Sequence, residues 1–159
     1  MSEADPSLRK LPLLVSQIAV INPLTLDSKA SVEDAAKGME RCGCGCCLVE
    51  EKGKIIGIVT ERDIVRRVAA KELPLAKTHV KDIMSSPLIA IDPDSSIEEA
   101  ASVMAKQGVR RLPVVGGNGL VGIITVSDVA RALTEKTKYV DILLRAIARQ
   151  NQSPQGLYD

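Results

Sequence analysis

The sequence predicts an α/β (α+β) fold made of two β-α-β-β-α repeats packed about a pseudo-twofold axis. Three observations carry that prediction. The chain matches itself at a fixed offset, each copy has apolar residues at helical spacing followed by two short apolar strands, and one copy is too small to bury a core alone.

Displacing the chain by 65 residues lays residues 26–65 on residues 91–130 without a gap, with twelve of forty positions identical. The identical pairs include Asp27/Asp92, Ser31/Ser96, Met39/Met104, Gly57/Gly122, Thr60/Thr125 and Asp63/Asp128. Repeats of this length are supersecondary units that stack on one another. Upstream, "NPLTL" and "SPLIAI" match when the second copy is given one extra residue.

The elements follow in order. After a first strand, Val32, Ala35, Ala36 and Met39 fall at i, i+3, i+4 and i+7, as do Ile97, Ala100, Ala101 and Met104, which makes each set the buried face of a helix. Ser31 with Asp34, and Ser96 with Glu99, have the spacing of a capping box and mark where those helices start. "CCLVEEKGKIIGIVT" and "RLPVVGGNGLVGIIT" then read as hairpins around glycine-containing turns. Second helices begin at Thr60 and Thr125 and bury Ile64, Val65 and Val68, or Val129, Ala132 and Leu133. A copy of about 60 residues buries little surface, so two copies are expected to pack face to face and leave two clefts.

The resulting division is a lead-in at 1–14, a first repeat at 15–72, a linker at 73–79, a second repeat at 80–136, and a C-terminal segment at 137–159. In that last segment Tyr139, Val140, Leu143, Leu144 and Ile147 form an amphipathic helix expected to dock on its own module, with a dimer contact as the alternative. The residues after it read as a flexible tail.

Composition narrows the function. Twenty-one Lys and Arg against twenty Asp and Glu give a net charge of +1, so no overall field draws the chain to nucleic acid or anionic membrane. No apolar run approaches the eighteen residues of a membrane span, and the first residues lack the pattern of a signal peptide. A soluble cytoplasmic protein is the expectation. The aromatic residues are Tyr139 and Tyr158 alone, so a planar ligand would lie between aliphatic side chains.

The sharpest motif is Gly57-Ile58-Val59-Thr60-Glu61-Arg62-Asp63 with its copy Gly122-Ile123-Ile124-Thr125-Val126-Ser127-Asp128. Thr-x-x-Asp by itself is a capping box. The same geometry also serves binding: a helix start facing a cleft offers N–H donors to phosphate, and a carboxylate can accept both hydroxyls of a ribose.

A strand, "GIVT", two residues, Asp and then a helix, occurring twice at this spacing, resembles the CBS domain pair, or Bateman module, over about residues 15–136. The resemblance implies a ligand-sensing module that binds an adenine nucleotide (AMP, ADP or ATP) between the repeats. Asp63 and Asp128 would hold ribose, and Thr60 and Thr125 would approach phosphate. "GVRRLPVV" resembles the family's second strand, where Arg110 and Arg111 would reach phosphates, a task suited to a guanidinium fork. Ile18, Ile21, Pro23, Ile83, Met84, Pro87 and Ile89 match the segments that sandwich the base, and they also read as plain core. The first copy has Gly45 and Cys46 where the second has Arg110 and Arg111, so the two clefts are expected to differ. The resemblance further implies a homodimer and an effector protein acting in trans, with no cofactor required and no catalysis.

Three other patterns carry alternatives. Gly117-x-Gly119-x-x-Gly122 satisfies a dinucleotide fingerprint, but a strand follows it where that motif needs a helix, so it reads as a hairpin turn. Cys42, Cys44, Cys46 and Cys47 invite a metal or redox reading, yet their spacing fits neither zinc nor iron–sulfur pairs, and small apolar filler in a reducing compartment is preferred. The single histidine, His79, lies in the linker without a catalytic partner. Alternatives to AMP or ATP are S-adenosylmethionine and NAD. A separate alternative is a nucleic-acid-binding adaptor using Arg62, Arg66, Arg67, Arg110 and Arg111, or a redox-responsive one using the cysteines, though the lack of stacking aromatics weighs against nucleic acid.

Overall fold

A computed structural model describes residues 13–133 and, beyond them, residues 145, 147 and 148. In the first half, α1 (Val15–Ile18) leads into β1 (Thr25–Asp27), α2 (Val32–Cys42), β2 (Cys46–Glu51), β3 (Lys54–Thr60), α3 (Glu61–Arg67) and a 3-10 turn at Ala69–Lys71. The second half runs α4 (Val80–Ile83), α5 (Ile97–Gln107), β4 (Arg111–Gly116), β5 (Gly119–Thr125) and α6 (Val126–Ala132).

Helix starts and stops follow the sequence signals. Ser31 Oγ accepts from Asp34 N at 3.0 Å while Asp34 accepts from Ser31 N, so the box is complete. Ser96 Oγ accepts from Glu99 N at 3.1 Å. Both long helices end on glycines in the left-handed conformation, Gly43 and Gly108, where a side chain would be strained. The hairpin β2–β3 turns through Lys52 and Gly53, both at positive φ, and Gly117–Gly119 turns β4 into β5, as expected of a hairpin and not of a dinucleotide loop.

The first strand of the second repeat is reduced to one bridge, Ile91 to Val114, whereas its counterpart β1 pairs in parallel with β2 over three residues. Two prolines explain the difference. In the first repeat Ser28 N donates to Glu50 O and Leu48 N donates to Leu24 O, each at 2.8 Å. The residues 65 positions on from these donors are Pro93 and Pro113, which have no N–H to give. Only the inner bonds survive there, Ile91 N to Pro113 O and Val115 N to Ile91 O.

The repeats exchange their leading segments. Val15 N and Ser16 N donate to Ser95 O and Pro93 O, and Ile97 N donates to Leu13 O, so α1 is fastened to the second half. Reciprocally, Val80 N and Lys81 N donate to Ala30 O and Ser28 O, and Val32 N donates to Thr78 O, so α4 is fastened to the first. Each chain segment then crosses a hairpin: Val20 bridges Ile123, and Ser85 bridges Ile58. Every one of these partners maps on its counterpart at an offset of 65. Since Leu26–Val49 and Ile91–Val114 keep the same offset, the extra residue expected in "SPLIAI" is not needed. Pro23 and Pro87 simply occupy non-equivalent places, the latter after a cis Ser86–Pro87 peptide.

Burial alternates along the strands as the pleat requires. Cys47, Val49 and Val59 face Val32, Ala35 and Met39 of α2 with Val80 and Ile83 of α4. Leu48 and Ile58 point the other way and join the larger core formed by Ile97, Ala100, Met104, Leu112, Val129 and Leu133, which cements the two halves. Val68, Val129 and Leu133 are buried as expected, but Val65 is exposed because it lies about 100° round α3 from Ile64. Of the amphipathic helix expected within 137–159, Ile147 is helical and packs against this larger core; Tyr139, Val140, Leu143 and Leu144 lie outside the described residues.

Candidate functional site

The site around Asp63 is assembled from both repeats. Thr60 caps α3, its Oγ1 accepting from Asp63 N at 3.2 Å, and Asp63 Oδ2 accepts from Thr60 N and Thr60 Oγ1 at 2.9 and 3.0 Å. That arrangement uses one carboxylate oxygen. The other, Oδ1, lies 3.5 Å from Arg67 Nε, and Arg67 in turn donates through Nη1 to Ile83 O at 2.7 Å. Thr60 and Asp63 are 1% and 5% exposed. Burial raises the Asp63 pKa above the usual carboxylate range, opposed by the Thr60 hydrogen bonds and by the charges of Arg67 and Arg111.

Arg111 arrives from the other repeat. A Cβ built on Gly45 would stand 2.7 Å from Arg111 Nη2 and 3.3 Å from Glu61 Oε2. The guanidinium therefore lies on the glycine that precedes β2, beside Glu61 at the start of α3. Its Nη1 is buried with no hydrogen-bond partner among the described residues. Cys46 feels the same group: burial raises its pKa, Arg111 counters, and Glu61 reinforces. Arg62 completes the setting: desolvation first, and then the charges of Arg66 and Arg110, lower its pKa. Met84, from the segment that crosses β3, sits over Gly57, where a Cβ would meet its Sδ at 2.5 Å.

The site around Asp128 is built on the same plan with other residues. Asp128 Oδ2 accepts from Thr125 N and Oγ1 at 2.8 and 2.7 Å, Thr125 Oγ1 accepts from Asp128 N at 3.3 Å, and Arg131 pairs with Oδ1. Here the crossing segment comes from the first repeat, Val20 O lying 2.5 Å from a Cβ built on Gly122. The strand start that corresponds to Arg111 is Cys46, which packs against the larger core.

The remaining residues singled out from the sequence fall into different places. Ile18 and Ile89 are half-buried on the larger core, Pro23 is half-buried, Met84 lies as described, and Ile21 (68% exposed) and Pro87 are exposed. Ile83 is 4% exposed and belongs to the core of the first half. Arg110 is exposed, and its carbonyl accepts from Val126 N at 2.9 Å, as Gly45 O accepts from Glu61 N at 3.1 Å. These bonds correct one expectation. The first amides of α3 and α6 are taken by Gly45 and Arg110, and the third by the threonine caps, so the helix starts offer fewer donors to phosphate than expected; the guanidinium groups are the cationic feature. Arg67 was not singled out for this site, though its i+4 spacing from Asp63 was the available signal.

Two of the four cysteines depart from the expectation of apolar filler. Cys42 and Cys44 form a disulfide, whereas Cys46 and Cys47 are free, Cys47 buried in the core and Cys46 half-buried against it. Among the described residues no group of three or more His, Cys, Asp or Glu could hold a metal ion. His79 is exposed and caps α4 without a side-chain hydrogen bond. A separate cavity of about 410 Å³, lined by Thr25, Glu50, Lys54, Ile55, Val115 and Leu120, opens at the opposite ends of the hairpins. No helix among the described residues is long and apolar enough to cross a membrane.

Comparison with known proteins agrees with the architecture. The family model of the CBS domain matches residues 15–70 and 80–135. The CBS domain-containing protein YhcV of Bacillus subtilis is 34% identical over 117 residues, covering 74% of this chain and 79% of that protein. The conserved CBS domain protein TA0289 of Thermoplasma acidophilum superposes with a TM-score of 0.74 at 26% identity, over 85% of this chain and 76% of that one. The CBS domain pair of protein MJ0100, solved in complex with 5′-methylthioadenosine and S-adenosyl-L-methionine, superposes with a TM-score of 0.70 at 28% identity, over 79% of this chain and 99% of that one. Two matched repeats, their exchanged leading segments and two Thr-x-x-Asp caps thus place the chain in the CBS-domain family, as a tandem pair.

Proposed function

We propose that this CBS pair is a regulatory module without catalytic activity, which binds an adenine nucleotide (AMP, ADP or ATP) between its repeats and signals its occupancy to a partner protein. The observation that carries the reading is that Arg111 of one repeat lies on Gly45 beside Glu61, at the start of the helix of the other repeat that holds the Asp63–Arg67 pair. A carboxylate suits vicinal hydroxyls and a guanidinium suits phosphate, so a ribose phosphate answers both. A ligand there would touch both halves, and its occupancy would favour one packing of them. Couplings of this kind are typically about 1–3 kcal/mol. Homodimerisation would give the change a second surface on which to act.

A second adenosyl ligand has a specific support. The similar pair of MJ0100 is complexed with S-adenosyl-L-methionine and 5′-methylthioadenosine, so these compounds belong in the same test. Calorimetric titration with AMP, ADP, ATP, S-adenosylmethionine and NAD, on the wild type and on Asp63→Ala and Asp128→Ala, measures it. Saturable heat with at least one nucleotide, lost in an aspartate variant, is the expected result. Silence from all five, with DNA binding at physiological salt, would replace this function with the nucleic-acid adaptor.

A further inference from the structure

The two Thr-x-x-Asp sites share a backbone plan and differ sharply in charge. Around Asp63 stand Arg67, paired with its Oδ1, and Arg111, whose guanidinium lies on Gly45 beside Glu61, while α3 and the residue before β4 also carry Arg62, Arg66 and Arg110. Applying the offset of 65 shows what the other site has instead. Arg62 becomes Ser127, Arg67 becomes Ala132, and the strand-start residues that would reach Asp128 are Gly45 and Cys46 in place of Arg110 and Arg111. Only Arg66 has a cationic counterpart, Arg131, and that guanidinium is paired with Asp128 itself.

The contrast concerns the ligand and not the fold. Backbone capping, carboxylate geometry and the crossing segment are retained at both sites. What changes is the field beyond the carboxylate. Five guanidinium groups from α3 and the start of β4 stand against two carboxylates, Asp63 and Glu61, which leaves a positive excess, and for Arg62 the charges of Arg66 and Arg110 add to desolvation. A ligand bringing several negative charges offsets that excess; an uncharged one does not. At Asp128 the guanidinium described beside the carboxylate, that of Arg131, is already neutralised by it, and a polyanion would gain little.

We propose that the two sites sort ligands by charge: the Asp63 site takes a nucleoside polyphosphate, and the Asp128 site takes an uncharged nucleoside derivative. This rests on the adenosine-binding reading above and adds to it which site holds which ligand. Arg111 is the specificity-determining residue, since it is contributed across the pseudo-twofold axis and its counterpart is a neutral thiol. The Asp63 site of one chain therefore needs both repeats to be complete.

The test titrates ATP, without divalent cation, and adenosine separately into the purified full chain. One equivalent of ATP per chain is expected, with affinity that falls as salt is raised, and adenosine binding that does not respond to salt. Arg111→Ala should weaken ATP by about tenfold or more and adenosine by less than about threefold. Asp128→Asn should abolish adenosine binding at its own site and leave the ATP affinity within about twofold. Should Arg111→Ala fail to fold, the surface pair Arg66→Gln with Arg110→Gln asks the same question of exposed groups. Two equivalents of ATP, equal loss of ATP and adenosine in the arginine variants, or loss of ATP in Asp128→Asn would each overturn charge sorting while leaving adenosine binding in place. No binding of either compound would overturn the adenosine-binding reading itself, and this inference with it.

Discussion

The guanidinium of Arg111 lies on Gly45, the two residues belonging to opposite repeats, and a Cβ at Gly45 would stand 2.7 Å from Arg111 Nη2. The glycine is thus a seat for a side chain from across the axis. Gly45→Val is expected to displace the guanidinium from its place beside Glu61 while leaving the fold intact, because the obstructing atom ends a flexible side chain. Nucleotide affinity should fall about as far as in Arg111→Ala, whereas the melting temperature should move by no more than a few degrees, corresponding to about 1 kcal/mol. Calorimetry and a melting curve on the same sample separate the two effects.

Gly57 and Gly122 meet backbone and not only side chain. A Cβ on Gly122 would stand 2.5 Å from Val20 O, and one on Gly57 would stand 2.9 Å from Ser85 O. Alanine at Gly122 should therefore cost about 2–3 kcal/mol by prising the crossing segment from β5. The loss is expected as a lower urea midpoint, with earlier hydrogen exchange at the Val20 and Ile123 amides, which donate to each other's carbonyls. Unchanged exchange at those amides would refute the crossing as the source.

Capping gives a graded pair. Ser31 takes part in a reciprocal box, while for Ser96 the cap bond from Glu99 N is the one described. Ser96→Ala is expected to destabilise by about 1 kcal/mol and Ser31→Ala by somewhat more, since the reciprocal bond from Ser31 N to the Asp34 carboxylate loses its setting too. Denaturant titration of both variants checks the order.

The thiols should report their burial. Cys46 and Cys47 are free while Cys42 and Cys44 are joined, so the denatured, unreduced chain is expected to titrate two thiols and the reduced one four. In the folded protein Cys47, 1% exposed, has its pKa pushed up to about 12 by desolvation first and then by Cys46 and Asp63. A folded pKa above the unfolded one means that the native state holds the proton more tightly. Stability is then fully present below the ordinary thiol pKa of about 8.5 and falls, by about 1.4 kcal/mol per pH unit for this group, as pH rises toward 12. Cys47→Ala should flatten that alkaline decline, which urea unfolding at a series of pH values measures.

Asp63 titrates with the same sign. Its pKa is raised mainly by burial, so its ionisation costs stability as pH rises through the carboxylate range, and the cost is absent at pH values below the unfolded pKa. Asp63→Asn should consequently gain on the wild type as pH is raised from acid. No such gain would mean that Arg67 and Arg111 fully offset the desolvation.

Much of this was legible in the sequence, and for local reasons. Helix faces, capping serines, hairpin glycines and the Thr-x-x-Asp caps are set by residues a few positions apart, whose geometry follows from backbone sterics and short hydrogen bonds. Even the inequality of the sites was visible, as arginines facing a glycine and a cysteine at equal offsets. The second repeat's missing strand was also written there, in Pro93 and Pro113, but only the pairing of Ile91 with Val114 reveals which amides those prolines remove. What tertiary structure alone decided is which half each segment serves. Apolar residues such as Val15 and Val80 are satisfied by any core of the right size, so periodicity says that they are buried but not against what. The exchange of α1 and α4, the crossing of Val20 and Ser85, and the seating of Arg111 on Gly45 depend on long-range packing that no short window of sequence contains.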